Sequence, residues 1–424
     1  MIRSIRMIMS GPIRRVLAVS RPRVVGPVTV GHGINEFFAI VIPPIIPLLV
    51  SDFGITYGEA GFLLTIFFVM YSIFQLPAGV LADRIGKIRI MIVGLVAMAG
   101  AILFASFADN YGMLLVAQTL AGIGGSTFHP TGMSIISDVE TRETEGKAMG
   151  VFGFGGALGT MSSPLIVGGL AAIAGWRIAL LGAALLGITI TVLTVPFLIA
   201  SESTGSSLRT DGGQSAPLRD LLHPLKGLID VPITRGVVLL FLITLVLSLQ
   251  HRAIQTFTTS YVAAETGAST SVGNLAFFTL LLGGSLASLW AGDLADRFDR
   301  ELLGIGAAVA TAILVSATLL VTHLFGGLPI ELLIAVLALW FAVIGVMMYA
   351  SYPVKNALVS EKADSASSGS LFGIIQTASA AGSASGPAIF GALATEWGVV
   401  AAFPAIAGVS LVLALLFLSL RQLD

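Results

Sequence analysis

Glu36 stands near the middle of an apolar run reaching from about residue 24 to 50. An ionised side chain at such a depth costs roughly 2.5–3.5 kcal/mol on insertion scales, so it needs a use. Removal from water favours the neutral form of a carboxyl group. A group that takes up and gives back a proton is what proton-driven work requires. His32 and Asn35 lie four and one residues earlier, so His32, Asn35 and Glu36 share one helix face. His129 is expected at the depth of His32. In the other half of the chain, Gln250, His251, Arg252 and Gln255 form a second polar group inside an apolar run. Arg252 is read as the one basic residue deep in such a run and must have a partner. Either Glu36 fills that role in a structural ion pair, or an anionic group of a substrate does. Tyr349 and Tyr352 can add hydroxyls and ring faces.

These residues need membrane-spanning helices to hold them. The 424 residues are 56% hydrophobic and 11% charged, with mean hydropathy +0.97. Soluble domains are roughly 25% charged, and no soluble chain of this size could hide so much apolar surface. Apolar runs long enough to span fall at roughly 24–50, 57–82, 88–108, 111–137, 147–172, 176–199, 235–262, 272–292, 301–323, 329–354, 370–394 and 398–420. The expected fold is an all-α membrane protein of twelve transmembrane helices in two pseudo-symmetric six-helix bundles. A basic tail (1–23) precedes the first bundle (24–199), and a Ser-, Gly-, Asp- and Pro-rich linker (200–234) joins it to the second (235–424).

Of 22 Lys and Arg residues, 20 fall on the side of the N-terminus; Arg177 lies opposite and Arg252 within a span. This bias places both termini in the cytoplasm of a multi-pass protein of the cell membrane. The tail has six arginines and no acid, and reads as a cytoplasmic segment on anionic lipid rather than a cleaved signal. There is no cysteine, which excludes disulfides and thiol chemistry. The histidines at 32, 129, 223, 251 and 323 show no metal-ligand spacing, so no metal is expected. No phosphate-cradling loop, catalytic triad or basic domain is present, so the chain reads as neither an enzyme nor a nucleic-acid binder.

The chain repeats itself. Gly79-Val80-Leu81-Ala82-Asp83-Arg84 recurs as Gly292-Asp293-Leu294-Ala295-Asp296-Arg297, an offset of 213 (292 − 79). His129-Pro130, Ser137-Asp138, Gly150 and Pro164 answer Tyr352-Pro353, Ser360-Glu361, Gly373 and Pro387 at an offset of 223 (387 − 164). Parallel six-helix repeats describe a large class of secondary transporters. The stretch Gly79 to Lys87, with Asp83, Arg84 and Gly86, resembles the signature loop of the major facilitator superfamily. Gly292 to Arg300 resembles its weaker second copy.

That resemblance implies two bundles around a central cavity lined by spans 1, 4, 7 and 10, working by alternating access. It makes Gly79, Asp83, Arg84, Gly86 and Lys87, with Asp296 and Arg297, a conformational latch of contacts that form in one state and break in the other. Span 5, with Gly159, Pro164 and Gly168, is similar to the superfamily's antiporter motif, with Ser163 where glycine is usual. Span 11 has a closer version around Gly386 and Pro387. Small residues at four-residue spacing allow close helix packing, and proline permits bending. Gln118 stands where many proton-driven exporters have arginine, so that role does not transfer. Gly122 to Pro130 and Gly31 to Phe38 also resemble the fosmidomycin-resistance branch of exporters.

The expected function is a proton-coupled antiporter, a monomer that exports a small organic compound. It uses no cofactor and takes its driving force from the proton gradient. Uptake by symport or facilitated diffusion of a small anionic solute uses the same residues. A non-transporting sensor or scaffold is the reading from another class, and it leaves the polar centre without a purpose.

Overall fold

A computed structural model of the chain describes residues 19–204, 233–361 and 368–423. Most of the basic tail, most of the linker and Lys362 lie outside the described residues. The rest is helical. The first span is α1 (Pro22–Ala39), a 3₁₀ turn at Pro43–Ile45, and α2 (Ile46–Phe53). The Pro43-Pro44 pair breaks this span, because neither residue has a backbone N–H to continue the helix. Next come α3 (Tyr57–Ile85), α4 (Lys87–Ser106), α5 (Tyr111–Gly125) and α6 (Phe128–Val139). A reciprocal capping box between Thr56 and Glu59 starts α3.

Helix α7 (Glu145–Thr204) contains 60 residues and bends at Gly175, where φ is 83°. Straight, it would reach about 90 Å, three times a bilayer core; the bend lets it cross twice. The second half runs α8 (Arg235–Thr266), α9 (Thr270–Arg297), α10 (Arg300–Phe325), α11 (Ile330–Glu361), α12 (Ser368–Trp397) and α13 (Val399–Arg421). Among the described residues, nine helices are long and apolar enough to cross a membrane. The bend in α7 adds a crossing, and the two remaining crossings are the interrupted α5–α6 pair and the Ser-rich α12. The twelve-crossing expectation therefore holds.

The repeat reappears in the backbone. Gly54 and Gly267, 213 positions apart, both end helices at φ 63°; Gly175 and Gly398, 223 apart, take φ 83° and 82° at equivalent turns. Each half is held by backbone-close packing of its first helix against its fifth. A methyl on Gly159 would overlap the Gly33 carbonyl between α7 and α1, and a methyl on Gly382 or Gly386 would overlap the carbonyls of Leu245 or Leu249 between α12 and α8. Ser163, where the motif has glycine, donates its hydroxyl to the Ile40 carbonyl at 2.9 Å, beside the break in the first span.

The halves meet toward the end opposite the termini. Gly58 N–H donates to Thr395 Oγ1 at 2.8 Å, Thr65 Oγ1 donates to the Ala384 carbonyl at 2.8 Å, and Asn274 Nδ2 donates to the Pro44 carbonyl at 3.1 Å. A methyl at Gly61 would overlap the Pro387 carbonyl, and one at Gly168 the Asn274 amide. The glycines and proline of spans 5 and 11 thus form helix contacts. The motif residue Pro164 is buried within α7.

One expectation is corrected at the opposite face. The acidic turn from Asp138 to Glu145 reads as solvated, yet Glu140 is 9% exposed. Its carboxylate accepts the backbone N–H groups of Ser20 and Arg21, both at 2.8 Å, and so caps α1 at its positive end. Burial pushes the Glu140 pKa up, but hydrogen bonds from Thr144, Ser20 and Arg21 outweigh this and hold it below its ordinary 4.5. A lowered carboxylate pKa makes this tie complete above pH 4.5 and lost as pH falls through the lower folded value. The protection of the Ser20 and Arg21 amides against exchange, relative to the intrinsic rate at each pH, should fall over that acid range, whereas in Glu140→Gln it should be low throughout. A second outcome tests the packing. Gly159→Ala should lower the detergent Tm, its overlap costing about 1–3 kcal/mol. Gly150→Ala, with nothing within 4 Å of the added carbon, should leave or raise it.

Candidate functional site

Beneath the seal between the halves lies a cavity of about 340 Å³, extended by a lobe of about 170 Å³. Glu36 from α1 and Arg252 from α8 line both parts. The His32 ring is stacked on Phe152 at 3.9 Å and on Phe128 at 5.9 Å, where Gly156 leaves it room. His32 Nδ1 donates to the Phe152 carbonyl at 2.8 Å, so in the neutral ring Nε2 carries the lone pair. That Nε2 is buried without a hydrogen-bond partner, 3.8 Å from Glu36 Oε1.

A second chain of hydrogen bonds fixes His129. Asn35 Nδ2 donates to the Gly125 carbonyl at 3.1 Å, leaving Asn35 Oδ1 to accept from the Tyr71 hydroxyl at 3.2 Å. With its proton committed to Asn35, the Tyr71 oxygen accepts from His129 Nδ1 at 2.5 Å. His129 Nε2 then faces Glu36 Oε1 at 3.9 Å. The rings of His32 and His129 meet edge to face at 4.9 Å, so the expected common depth holds. The ligand atoms of His32, Glu36 and His129 lie within 4.8 Å of one another. These three atoms form the kind of cluster that could hold a metal ion. Spacing gave no sign of it because His129 reaches α1 from another span.

The facing group is built on α8. The Arg252 guanidinium lies 4.3 Å over the Phe68 ring, a contact worth about 0.5–2 kcal/mol depending on desolvation. Its Nη1 donates to Gln255 Oε1 at 2.8 Å. Gln255 Nε2 in turn lies 2.9 Å from both the Tyr349 hydroxyl and His251 Nε2. His251 packs its ring against Tyr349 at 4.4 Å and Tyr352 at 5.1 Å. Among the described residues Arg252 has no ion pair. Glu36 shares its cavity, but that carboxylate is turned to His32 and His129.

Three site expectations shift. Asn35 is wholly buried against α5 and orients Tyr71 rather than lining the cavity. Gln250 is 1% exposed and donates to Ser410 at 2.6 Å, tying α8 to α13. Lys355, read among the cations on the side of the N-terminus, is buried near the end of a span. It lies inside α11, is 9% exposed, and places Nζ 5.9 Å over the Tyr352 ring. Sequence reasoning also missed Phe68, Tyr71 and the polar edges of α3 and α12. Ser72 and Gln75, with Gln376, Ser379 and Ser383, line the cavity. Their three- and four-residue spacing in apolar runs was a readable signal.

The ion pairs around the repeated motif fall a few residues beyond Asp83. Asp83 is exposed and makes no hydrogen bond or ion pair among the described residues. Lys87 instead pairs with Asp138 at 2.5 Å, and Arg300 with Glu361 at 2.7 Å. Lys87 and Arg300 are 213 apart, Asp138 and Glu361 223 apart, so the two bridges are repeat equivalents. Asp296 lies 3.8 Å from Arg300, and Arg297 pairs with Asp293 of its own helix at 2.9 Å. Gly79 packs near Pro130. Gly86 turns the first loop at φ 116°. Asp299 replaces it in the second, caps α10 through Leu302 N–H at 2.9 Å, and pairs with Arg421 at 3.3 Å. The Leu302 amide, with Arg421 beside it, holds the Asp299 pKa below the usual carboxylate value.

The fold and sequence have relatives. The sequence profile of the Major Facilitator Superfamily matches residues 28–249 and 240–424. The chain is 28% identical over 385 residues to "Multidrug resistance protein MdtG" of Salmonella arizonae (strain ATCC BAA-731 / CDC346-86 / RSK2980), covering 88% of this chain and 89% of that one. It is 30% identical over 153 residues to a "Probable 4-methylmuconolactone transporter" of Cupriavidus pinatubonensis (strain JMP 134 / LMG 1197), covering 35% of this chain and 36% of that one. A bacterial homologue of the human lysosomal transporter Spinster, inward-facing and occupied, superposes with TM-score 0.74 at 15% identity, over 95% of this chain and 97% of that chain. A mutant of the peptide transporter POT, in complex with sulfate, superposes with TM-score 0.71 at 18% identity, over 94% of each chain. With profile, repeat and fold in agreement, this chain is a multi-pass membrane transporter that belongs to the Major Facilitator Superfamily.

Proposed function

We propose that the chain is a proton-coupled antiporter of the cell membrane, a monomer that exports small amphipathic organic compounds, with both termini in the cytoplasm. The observation that carries this reading is that Glu36 lines both lobes of the cavity between the halves. Substrate and proton therefore meet at one carboxylate, and each weakens the binding of the other. Mutual exclusion of this kind is the thermodynamic requirement for exchange. The groups that face Glu36 are His32 on its own helix, Tyr71 of α3, His129 of α6, Arg252 of α8 and Tyr349 of α11. Arg252 and the α3 and α12 edges hold the substrate. One charge moving through 100 mV supplies about 2.3 kcal/mol, enough to bias a rocking equilibrium between two states. The 28% identity to proteins named for multidrug resistance supports the export direction, and the bias of Lys and Arg toward the termini supports the orientation.

A second reading is favoured by one observation. Arg252 has no ion pair among the described residues, so an anionic solute could supply its counter-charge. A proton on Glu36 would then assist binding rather than oppose it, which gives symport and uptake. The shorter match to a transporter named for 4-methylmuconolactone is in keeping with this reading.

Proteoliposomes with an imposed pH gradient separate the two, using a rhodamine dye for export and fluorescein for anion uptake. Antiport predicts rhodamine flux against an inward proton gradient. In Glu36→Gln that flux should lose its pH dependence while gradient-free exchange persists. Unchanged flux and unchanged pH dependence in Glu36→Gln would remove the carboxylate from the mechanism. Fluorescein moving with the proton gradient would replace export by uptake.

A further inference from the structure

We propose that His32, Glu36 and His129 form a binding site for one divalent transition-metal ion in the centre of the first half. Both imidazoles are oriented as metal ligands are. Each has Nδ1 engaged by a protein acceptor, Phe152 carbonyl for His32 at 2.8 Å and the Tyr71 oxygen for His129 at 2.5 Å. Such outer partners hold the ring and leave Nε2 to bind. Both Nε2 atoms converge on Glu36 Oε1, at 3.8 and 3.9 Å, and the three ligand atoms lie within 4.8 Å of one another. His32 Nε2 is buried and lacks a partner, an unused lone pair aimed at the carboxylate.

Ligands about 2.0–2.1 Å from a zinc ion sit about 3.0–3.4 Å from each other. The Glu36 pairs exceed this by about half an ångström and the widest pair by up to about 1.4 Å, so closure takes a shift of the Glu36 side chain and of one imidazole toward it. Two imidazoles and one carboxylate select zinc, cobalt or nickel over magnesium and calcium, which prefer oxygen ligands. Three protein ligands leave positions open toward the cavity, where water or a chelating group of a bound compound completes the shell. Arg252 lines the same cavity and opposes a cation, but its Nη1 is drawn to Gln255 and Glu36 lies among the ligands.

The site is tested on the full chain in detergent, purified without a polyhistidine tag, with no gradient or substrate present. Its outcome is therefore independent of the transport reading. Zinc is titrated by calorimetry, and cobalt by its visible absorption bands. The expected result is one ion per chain, no binding of magnesium, and a rise in Tm with zinc concentration. His32→Ala, His129→Ala and the near-isosteric Glu36→Gln should each weaken binding at least tenfold. Tyr71→Phe, which removes the partner of His129 Nδ1, should weaken it by about ten- to a hundredfold. Absence of saturable binding by the wild-type chain, or binding unchanged in monodisperse Glu36→Gln and His129→Ala, would overturn the site.

Discussion

A carboxylate at the middle of a membrane-spanning helix survives only where protein groups replace the water it has lost. Glu36 imposes that condition on this chain, and much of the architecture answers it. Two histidines stand 3.8 and 3.9 Å from it, each held by a hydrogen bond at its far nitrogen, so that a proton on Nε2 or on the carboxyl group completes the contact. The groups holding them, Phe152 of α7, and Tyr71 of α3 backed by Asn35 of α1, come from three helices of one half. The cationic counterpart, Arg252, lies across the cavity on the other half and is held by an aromatic face and an amide rather than by an acid. Acid and base are thus held on opposite halves, with Arg252 resting on Phe68 of the first.

The duplicated frame makes such a separation possible. Glycines bring the first and fifth helices of each half to backbone contact, so each half can move as a body. The halves share an apolar core, with Tyr57 against the Phe257 ring at 6.4 Å and Arg252 over Phe68, and hydrogen bonds and glycine contacts join them toward the end away from the termini. Packed interfaces of this kind are bistable rather than gradually deformable. At the other end, Lys87–Asp138 and Arg300–Glu361 repeat one bridge within each half. Each bridge ties helices of one half together, and neither crosses between the bundles.

The sequence made the helices, the repeat and the orientation of charges legible, because hydropathy and the Lys and Arg bias act over whole spans. Glu36, His32 and Arg252 were legible too, since a polar residue in lipid is conspicuous. Their partners were less so. The convergence of His129 on Glu36 depends on the angle between two helices, which no local pattern encodes. Lys355 looked like a positive anchor at a helix end, and only the continuation of α11 to Glu361 turned it into a buried cation. Asp83 carries the recognisable motif, but the bridge is made four residues on, by Lys87 at the start of the next helix. Asn35 and Gln250 show the remaining difficulty: each sits on a cavity-lining helix yet faces its neighbours, and only packing decides which way such a residue points.

The central claim is that substrate and proton compete at Glu36. The most direct measurement is proton release from the detergent-solubilised protein, in weak buffer, as a rhodamine dye binds. Competition predicts release by the wild-type chain and none by Glu36→Gln at equal dye occupancy. Proton uptake on binding, or equal release by both chains, would contradict it.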